Sequence, residues 1–126
     1  MIITFPWRKI DVVEPDRTYT ALFGLVRLQN ILLLPTFLQY GIRIERQLQR
    51  SRGAVGYRTA ADPMSLSFYH LSAWLDAAAI GDFVQSQPHS RAVEQLVGRL
   101  GATTFRYWDI IGSDLPLHIE RELQNY

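Results

Sequence analysis

The side chains best suited to acid–base chemistry are two histidines in unlike surroundings. His89 follows Pro88 where a helix is predicted to begin, and His70 lies in an apolar segment between Phe68 and Ser72. Histidine titrates near neutral pH, so it serves as a general base or a proton shuttle. Both also have an ordinary structural interpretation. His89 would cap or pack at a helix terminus, and His70 would be bonded to Ser72 or to a partner side chain in the dimer interface. We take both as candidate catalytic residues.

Large aromatic side chains lie near these histidines in the sequence. Such a set would suit a small planar apolar ligand, although packing in a core or an interface also accounts for aromatic residues in strands. The candidate substrate-binding residues are Trp74, Tyr69, Phe83 and Tyr57.

Several other chemistries lack the residues that they need. The chain contains no cysteine, which excludes thiol catalysis, thiolate metal sites and disulfides. Its three histidines lack the spacing of metal ligands, and no carboxylate cluster accompanies them. There is also no glycine-rich phosphate loop and no recognisable Ser-His-Asp triad. We therefore expect no metal ion and no cofactor.

Charge and hydropathy narrow the possible partners and the location. The formal net charge is only +1, which argues against a nucleic-acid-binding protein. The longest apolar run, Ile31 to Pro35, is far shorter than the roughly 20 residues of a membrane-spanning helix. No secretory signal is visible at the start of the sequence. We expect a cytoplasmic protein that binds neither nucleic acid nor membrane.

The candidate residues are carried by four predicted strands and two predicted helical regions. The helix that begins near Pro35 ends at Gly53, and the second region begins after Asp76 and is interrupted at Pro88. On the first helix Arg43, Arg46, Gln47 and Arg50 are expected on the solvent side. The strands are predicted at residues 18–28, 54–61, 66–74 and 103–111.

This β-α-β-β-α-β order is typical of a ferredoxin-like α+β fold with two layers. Two helices cover one face of a sheet, yet the strand at 18–28 is apolar on both faces. A second copy packed sheet to sheet would cover the other face, so we expect a homodimer. We divide the chain into an N-terminal arm (1–17), a core (18–111) and a C-terminal tail helix (112–126).

Three segments of the core resemble antibiotic-biosynthesis-monooxygenase-type domains, which are dimeric α+β barrels. The segments are Leu71-Ser72-Ala73-Trp74, Asp76 to Phe83, and Ser86-Gln87-Pro88-His89. The resemblance covers residues 18–111. It implies one of several activities: cofactor-independent oxygenation of quinol-like aromatics, haem degradation, isomerisation, or no known reaction.

The haem-degrading branch is the least consistent with this sequence. Its catalytic tryptophan corresponds to Phe83 and its haem-ligating histidine to Val93, and neither replacement keeps the chemistry. The resemblance therefore favours an uncharacterised branch.

Two functions remain open. The first is a small-molecule enzyme or binder, such as a cofactor-independent monooxygenase acting on an electron-rich aromatic, with His89 or His70 as the base and Trp74 and Tyr69 shaping the pocket. The alternative is a non-catalytic dimeric module that binds a ligand or a partner protein through its arm and tail. A cavity within reach of a histidine would favour the enzyme, and a filled core would favour the module.

Overall fold

The computed structural model describes residues 2–87, 89–96 and 98–124, with the backbone alone at residue 102. Pro88, at the predicted break between two helical segments, lies outside the described residues. The strands are β1 (Ile3–Thr4), β2 (Arg8–Lys9), β3 (Thr18–Leu28), β4 (Ala54–Asp62), β5 (Ser67–Trp74) and β6 (Leu100–Ile111). The α-helices are α1 (Leu34–Arg50), α2 (Ala77–Gln85), α3 (His89–Leu96) and α4 (Ile119–Leu123).

The strands form one antiparallel sheet in the order β1-β4-β5-β3-β6, with β2 also paired to β4. The predicted ferredoxin-like α+β fold is confirmed, because the first core strand, β3, lies between the third and the fourth. This central position gives β3 a partner along both edges, and its side chains are apolar on both faces because packed layers cover both sides of the sheet.

Local signals in the sequence set the helix boundaries. The Asn30 side chain accepts a hydrogen bond from the Leu32 N–H at 2.9 Å at the start of the 3₁₀ turn before α1. The Asp76 side chain accepts from the Ala79 N–H at 2.9 Å and begins α2. Gly53 follows α1 with φ +88°, and a Cβ at this position would lie 2.6 Å from the Ala79 Cβ. Glycine is therefore required there by both conformation and space.

One face of the sheet packs against the helices. Its central cluster combines Leu22 and Trp74 from the sheet with Leu48 of α1 and Ile80 and Phe83 of α2. All five side chains are buried. Because side chains alternate along a strand, the same face of β5 carries Phe68, His70, Ser72 and Trp74.

The opposite face is covered by the chain's own arm and tail. Leu117 and Ile119 of the tail are buried against Phe23 and Leu71, and Trp7 of the arm packs against the same cluster. This arrangement removes the argument for a sheet-to-sheet homodimer, which assumed that a second copy must cover this face. The arm has no clear period in the sequence, whereas the tail carries a narrow apolar stripe of Leu115, Ile119 and Leu123, four residues apart. Together they supply the missing apolar layer.

The arm and the tail differ from their predicted forms. The arm forms β1 and β2 along the free edge of β4, and the Ile10 N–H continues the pairing by donating to the Val55 carbonyl at 2.9 Å. Among its described residues, the tail has a 3₁₀ turn at Gly112–Asp114 and is α-helical over α4 alone. Leu115 is extended, as expected before Pro116, so the helix begins only at Ile119.

Among the described residues, no helix has both the length and the apolar character needed to cross a membrane.

Candidate functional site

Three side chains of β5 form a hydrogen-bonded row on the helix side of the sheet. The Ser72 Oγ lies 2.8 Å from the His70 Nε2 and 2.8 Å from the Trp74 Nε1. The indole N–H donates to Ser72, because an indole nitrogen has no acceptor capacity. The predicted bond between His70 and Ser72 is confirmed, and both neighbours hold the serine in place.

His89 is the first residue of α3, and two hydrogen bonds fix it there. Its backbone N–H donates to the Gln47 Oε1 at 3.0 Å. Its ring Nδ1 lies 3.2 Å from the Val84 carbonyl oxygen. A carbonyl can only accept, so the proton must be on Nδ1 and the lone pair of the neutral ring is on Nε2. No described residue forms a hydrogen bond with this Nε2.

Gln47 is the residue of this site that the sequence analysis missed, and its predicted place on the solvent side of α1 is wrong. Its side chain is 8% exposed. While its oxygen accepts from His89, its Nε2 donates to the Phe83 carbonyl at 2.9 Å and to the Ser86 carbonyl at 3.4 Å. Gln47 therefore connects α1 to the junction of α2 and α3. It lies on the flank of the apolar stripe, where periodicity alone indicates solvent.

Phe83 links the two histidine-bearing elements. Its ring centroid lies 5.2 Å from that of Trp74 and 5.1 Å from that of His89, with tilted planes in both pairs. Such geometry is typical of favourable aromatic contacts. The structure thus brings Trp74, Phe83 and His89 into one contiguous group, and Ser72 extends it to His70.

A glycine lies beside His70 in the sheet, and an aromatic ring lies against that glycine. The cross-strand neighbour of His70 on β3 is Gly24, and the neighbour of Gly24 on β6 is Phe105. A Cβ at Gly24 would lie 3.0 Å from the Phe105 ring and 3.9 Å from the His70 Cβ. Phe105 therefore lies across the glycine, although 57% of it is exposed. On the other side of His70, the rings of Phe68 and Phe37 are 4.5 Å apart.

Both histidines are neutral at neutral pH. Burial, with a smaller contribution from the charge of His89, lowers the pKa of His70 from 6.5 to about 4. Burial also lowers the pKa of His89, while the hydrogen bond to the Val84 carbonyl opposes that shift.

The four aromatic side chains predicted to bind a substrate do not all lie on the same face of the sheet. Tyr69 follows the opposite face of β5 and is buried in the cluster beneath the tail, so it does not share a pocket with His70. Neighbouring residues of a strand point to opposite faces, so Tyr69 and His70 cannot line the same pocket. Trp74 is fully buried in the helix-side cluster, and Phe83 is 7% exposed there.

Tyr57 also lies on the helix side, but its hydroxyl already forms two hydrogen bonds within the protein. It donates to the Glu45 Oε1 at 2.5 Å and accepts from the Gln49 Nε2 at 3.0 Å. Burial raises the pKa of Tyr57, and the hydrogen bond to Glu45 raises it further. The phenol is thus a neutral donor that connects β4 to α1.

Two open grooves lie on the helix side. One, of about 280 Å³, is lined by Ala77, Ile80, Gly81, Val84, Gln85 and Tyr107. The other, of about 400 Å³, lies where α1 meets α2 and is lined by Gln47, Phe83, Ser86 and neighbouring polar residues. Neither groove is lined by His70 or His89. Within the described residues, no group of three or more His, Asp or Glu side chains is placed to hold a metal ion.

The fold and the helix-side site can be compared with solved structures. A candidate antibiotic biosynthesis monooxygenase from Deinococcus radiodurans matches with a TM-score of 0.64 at 12% identity, over 79% of this chain and 98% of that one. The chain has the fold of antibiotic biosynthesis monooxygenases. SnoaB, a cofactor-independent oxygenase from Streptomyces nogalater, matches this monooxygenase fold with a TM-score of 0.59 at 11% identity, over 71% and 90% of the two chains.

Some matching proteins with the monooxygenase fold are much longer. A candidate monooxygenase from Fusobacterium nucleatum matches with a TM-score of 0.67 at 8% identity, and the match covers 88% of this chain. This chain spans about half of that protein, 52% of its length. No protein-family model matches the sequence. No curated protein matches it either.

Proposed function

We propose that the chain is a cofactor-independent monooxygenase for an electron-rich aromatic compound, with His89 as its general base. One observation carries this proposal: the Val84 carbonyl fixes the proton of the His89 ring on Nδ1, which leaves the Nε2 lone pair without a partner among the described residues. A neutral imidazole with a directed lone pair suits proton abstraction. The oxygenases among the structural neighbours support this class of reaction.

The proposed reaction draws its electrons from the substrate. A CH₂ group made acidic by a neighbouring carbonyl or hydroxylated ring loses a proton to the His89 Nε2. The carbanion reduces O₂ and combines with it to form a peroxide, which loses water and leaves a carbonyl group. The overall change is CH₂ + O₂ → C=O + H₂O, so no external reductant is needed. The protein contributes the base and an apolar surrounding that excludes water.

The proposed ligand site lies over Gly24, beside His70. Phe105 would have to turn away to admit a flat ring, and its exposed position leaves it room to do so. Phe37 and Phe68 would form one wall, and Phe83 would support His89 from behind. A small apolar or aromatic ligand suits these surroundings.

The proposal can be tested by oxygen consumption with anthrone, whose ring CH₂ group is made acidic by the conjugated carbonyl, against the rate without protein. We expect His89→Gln to lower the protein-dependent rate by roughly 10²- to 10⁴-fold, as for loss of a general base. The matched control is His118→Gln, because His118 is exposed on the tail and lies outside the site. Equal rates for His89→Gln and the unaltered chain would contradict the assignment of His89.

A second function, a non-catalytic module that binds a ligand or a partner protein, is favoured by the position of the two grooves. Both are open, and neither reaches the histidines. Tyr107, which lines the first groove, is 56% exposed. Under this alternative an aromatic ligand would perturb Tyr107 and Gly81 in a nuclear magnetic resonance titration, but not the ring of His89. Perturbation of His89 would favour the enzyme.

Assembly and location complete the proposal. We place the chain in the cytoplasm and propose a homodimer whose contact avoids the face covered by the arm and the tail. Native mass spectrometry of the full chain tests the assembly and also detects any small molecule retained through purification. A clean monomer would overturn the homodimer, whereas a dimer carrying an aromatic adduct would support both the assembly and the ligand class.

A further inference from the structure

The hydrogen-bond partners of the Ser72 hydroxyl determine where its proton points. Ser72 is fully buried, and its described partners are the His70 Nε2 and the Trp74 Nε1. A hydroxyl has one proton to donate and two lone pairs, whereas an indole N–H only donates. Trp74 therefore occupies a lone pair of Ser72, and the hydroxyl proton still requires an acceptor.

The His70 Nε2 is the one acceptor among the described partners of this hydroxyl. If Nε2 carried a proton and donated to Ser72, the hydroxyl would receive two bonds and its own proton would have no partner. An unpaired buried polar group costs about 1–3 kcal/mol. Donation from Ser72 to Nε2 instead pairs the Ser72 hydroxyl, the Trp74 N–H and the His70 Nε2. It requires the proton of the neutral His70 ring to be on Nδ1, where it remains available to a ligand.

We propose that Ser72 is a positioning residue that holds His70 as its Nδ1–H tautomer and so makes His70 a fixed hydrogen-bond donor to a ligand oxygen. The Nε2 lone pair is engaged by Ser72 and is not available as a base. His70 and His89 then have different roles, since His89 keeps a free Nε2 lone pair. The ligand for the His70 donor is a carbonyl or phenolate oxygen.

The surroundings of the His70 ring agree with a donor directed at a ligand. No described residue forms a hydrogen bond with Nδ1. The neighbouring Gly24 has no side chain, and the atoms nearest to its Cβ position belong to the exposed Phe105 ring. The Nδ1–H tautomer of His70 is inferred from the contacts of Ser72 alone. The assignment of a ligand oxygen as its acceptor rests on the proposed function.

The tautomer can be observed directly in the full chain labelled with ¹⁵N-histidine. A long-range ¹H–¹⁵N correlation spectrum at neutral pH distinguishes a protonated ring nitrogen from one with a lone pair. We expect Nδ1 of His70 to be protonated and Nε2 to be an acceptor. Ser72→Ala should yield a mixture of tautomers, and Ser72→Thr, which retains the hydroxyl, should restore the single form.

Ser67→Ala is the matched control, because Ser67 is equally buried on β5 but belongs to the other face. It should leave the His70 tautomer unchanged. An Nε2–H or a doubly protonated ring in the unaltered chain would overturn the proposal, and so would a Ser72→Ala spectrum identical to it. If Ser72→Ala does not fold, the spectra of the unaltered chain and of Ser72→Thr decide.

The ligand part has a test of its own. Titration with 1,4-naphthoquinone, which offers only acceptor oxygens, should shift the His70 Nδ1–H signal, and the absence of any shift would overturn the assigned ligand. The two proposals can fail separately. If His70 is the Nδ1–H tautomer but the chain consumes no oxygen with any aromatic probe, the role of Ser72 is supported and the proposed oxygenase activity is overturned.

Discussion

The Gln47 side-chain oxygen accepts the backbone N–H of His89 at 3.0 Å, across the interface between α1 and α3. This bond connects residues 42 positions apart in the sequence. Among the described residues, this is the only hydrogen bond from another helix to the backbone of His89, the candidate base.

Replacing Gln47 by leucine should loosen this junction. The His89 N–H would lose its partner, and the Phe83 carbonyl would keep only the hydrogen bond from the Ser86 N–H. We expect a loss of about 1–3 kcal/mol in the free energy of unfolding. Urea unfolding measures it, with Gln39→Leu, an exposed position on the same helix, as the control. Equal losses in the two variants would show that the contacts of Gln47 add nothing.

Shortening Ile119 should show how much the tail contributes to the core. Ile119 is fully buried beneath the sheet, so Ile119→Ala leaves a cavity and should cost about 2–5 kcal/mol. Leu32→Ala is the control, because Leu32 is 81% exposed and should change stability by less than about 0.5 kcal/mol. Thermal unfolding compares the two. A tail that lies loosely on the sheet would make both changes small.

Adding one methyl group at Gly56 should displace the arm. A Cβ there would lie 2.5 Å from the Trp7 ring, which cannot stay in place. We expect Gly56→Ala to expose Trp7 and shift tryptophan fluorescence to longer wavelength. Gly41→Ala is the control: nothing lies within 4 Å of its Cβ position on α1, and a helical alanine should stabilise by roughly 0.5–1 kcal/mol. An unchanged emission spectrum of Gly56→Ala would refute the packing of the arm.

The low pKa of His70 predicts a loss of stability in mild acid. The folded chain protonates His70 only near pH 4, whereas the unfolded chain does so near pH 6.5. Between these values the unfolded state binds more protons, so stability falls as the pH is lowered through this window. The full effect is at most about 3.5 kcal/mol, from roughly 1.4 kcal/mol for each pKa unit of the shift.

Urea unfolding between pH 4 and pH 7 measures this dependence. His70→Gln should flatten it, since glutamine does not titrate, and His118→Gln should not. A slope that persists in His70→Gln would assign the acid sensitivity to other groups, with His89 the first to examine because its pKa is lowered in the same direction.

Much of the fold was predictable because its signals are local. Alternation along β3 and β5 assigned side chains to the correct faces, and Asn30, Asp76 and Gly53 marked boundaries that the structure confirms. The same alternation places Tyr69 and His70 on opposite faces. Their joint assignment to one pocket was therefore avoidable from the sequence alone.

The remaining features depend on contacts between distant segments. Nothing near Gln47 indicates that α3 will pack against its flank of α1 and bury it. The arm contributes strands of two residues each, too short to show a period. The tail follows β6, so the position of β6 in the assembled sheet determines which face the tail covers. Local patterns cannot supply such information.

The pairing of the arm with β4 has a consequence for aggregation. An antiparallel sheet with two exposed edges can add strands at both ends and grow into a fibre, whereas the outer edge of β4 already carries β1 and β2. Among the described strands, β6 alone presents a long free edge. Strand addition between copies of this chain would then join two β6 edges and stop, which favours a finite pair over open-ended polymerisation.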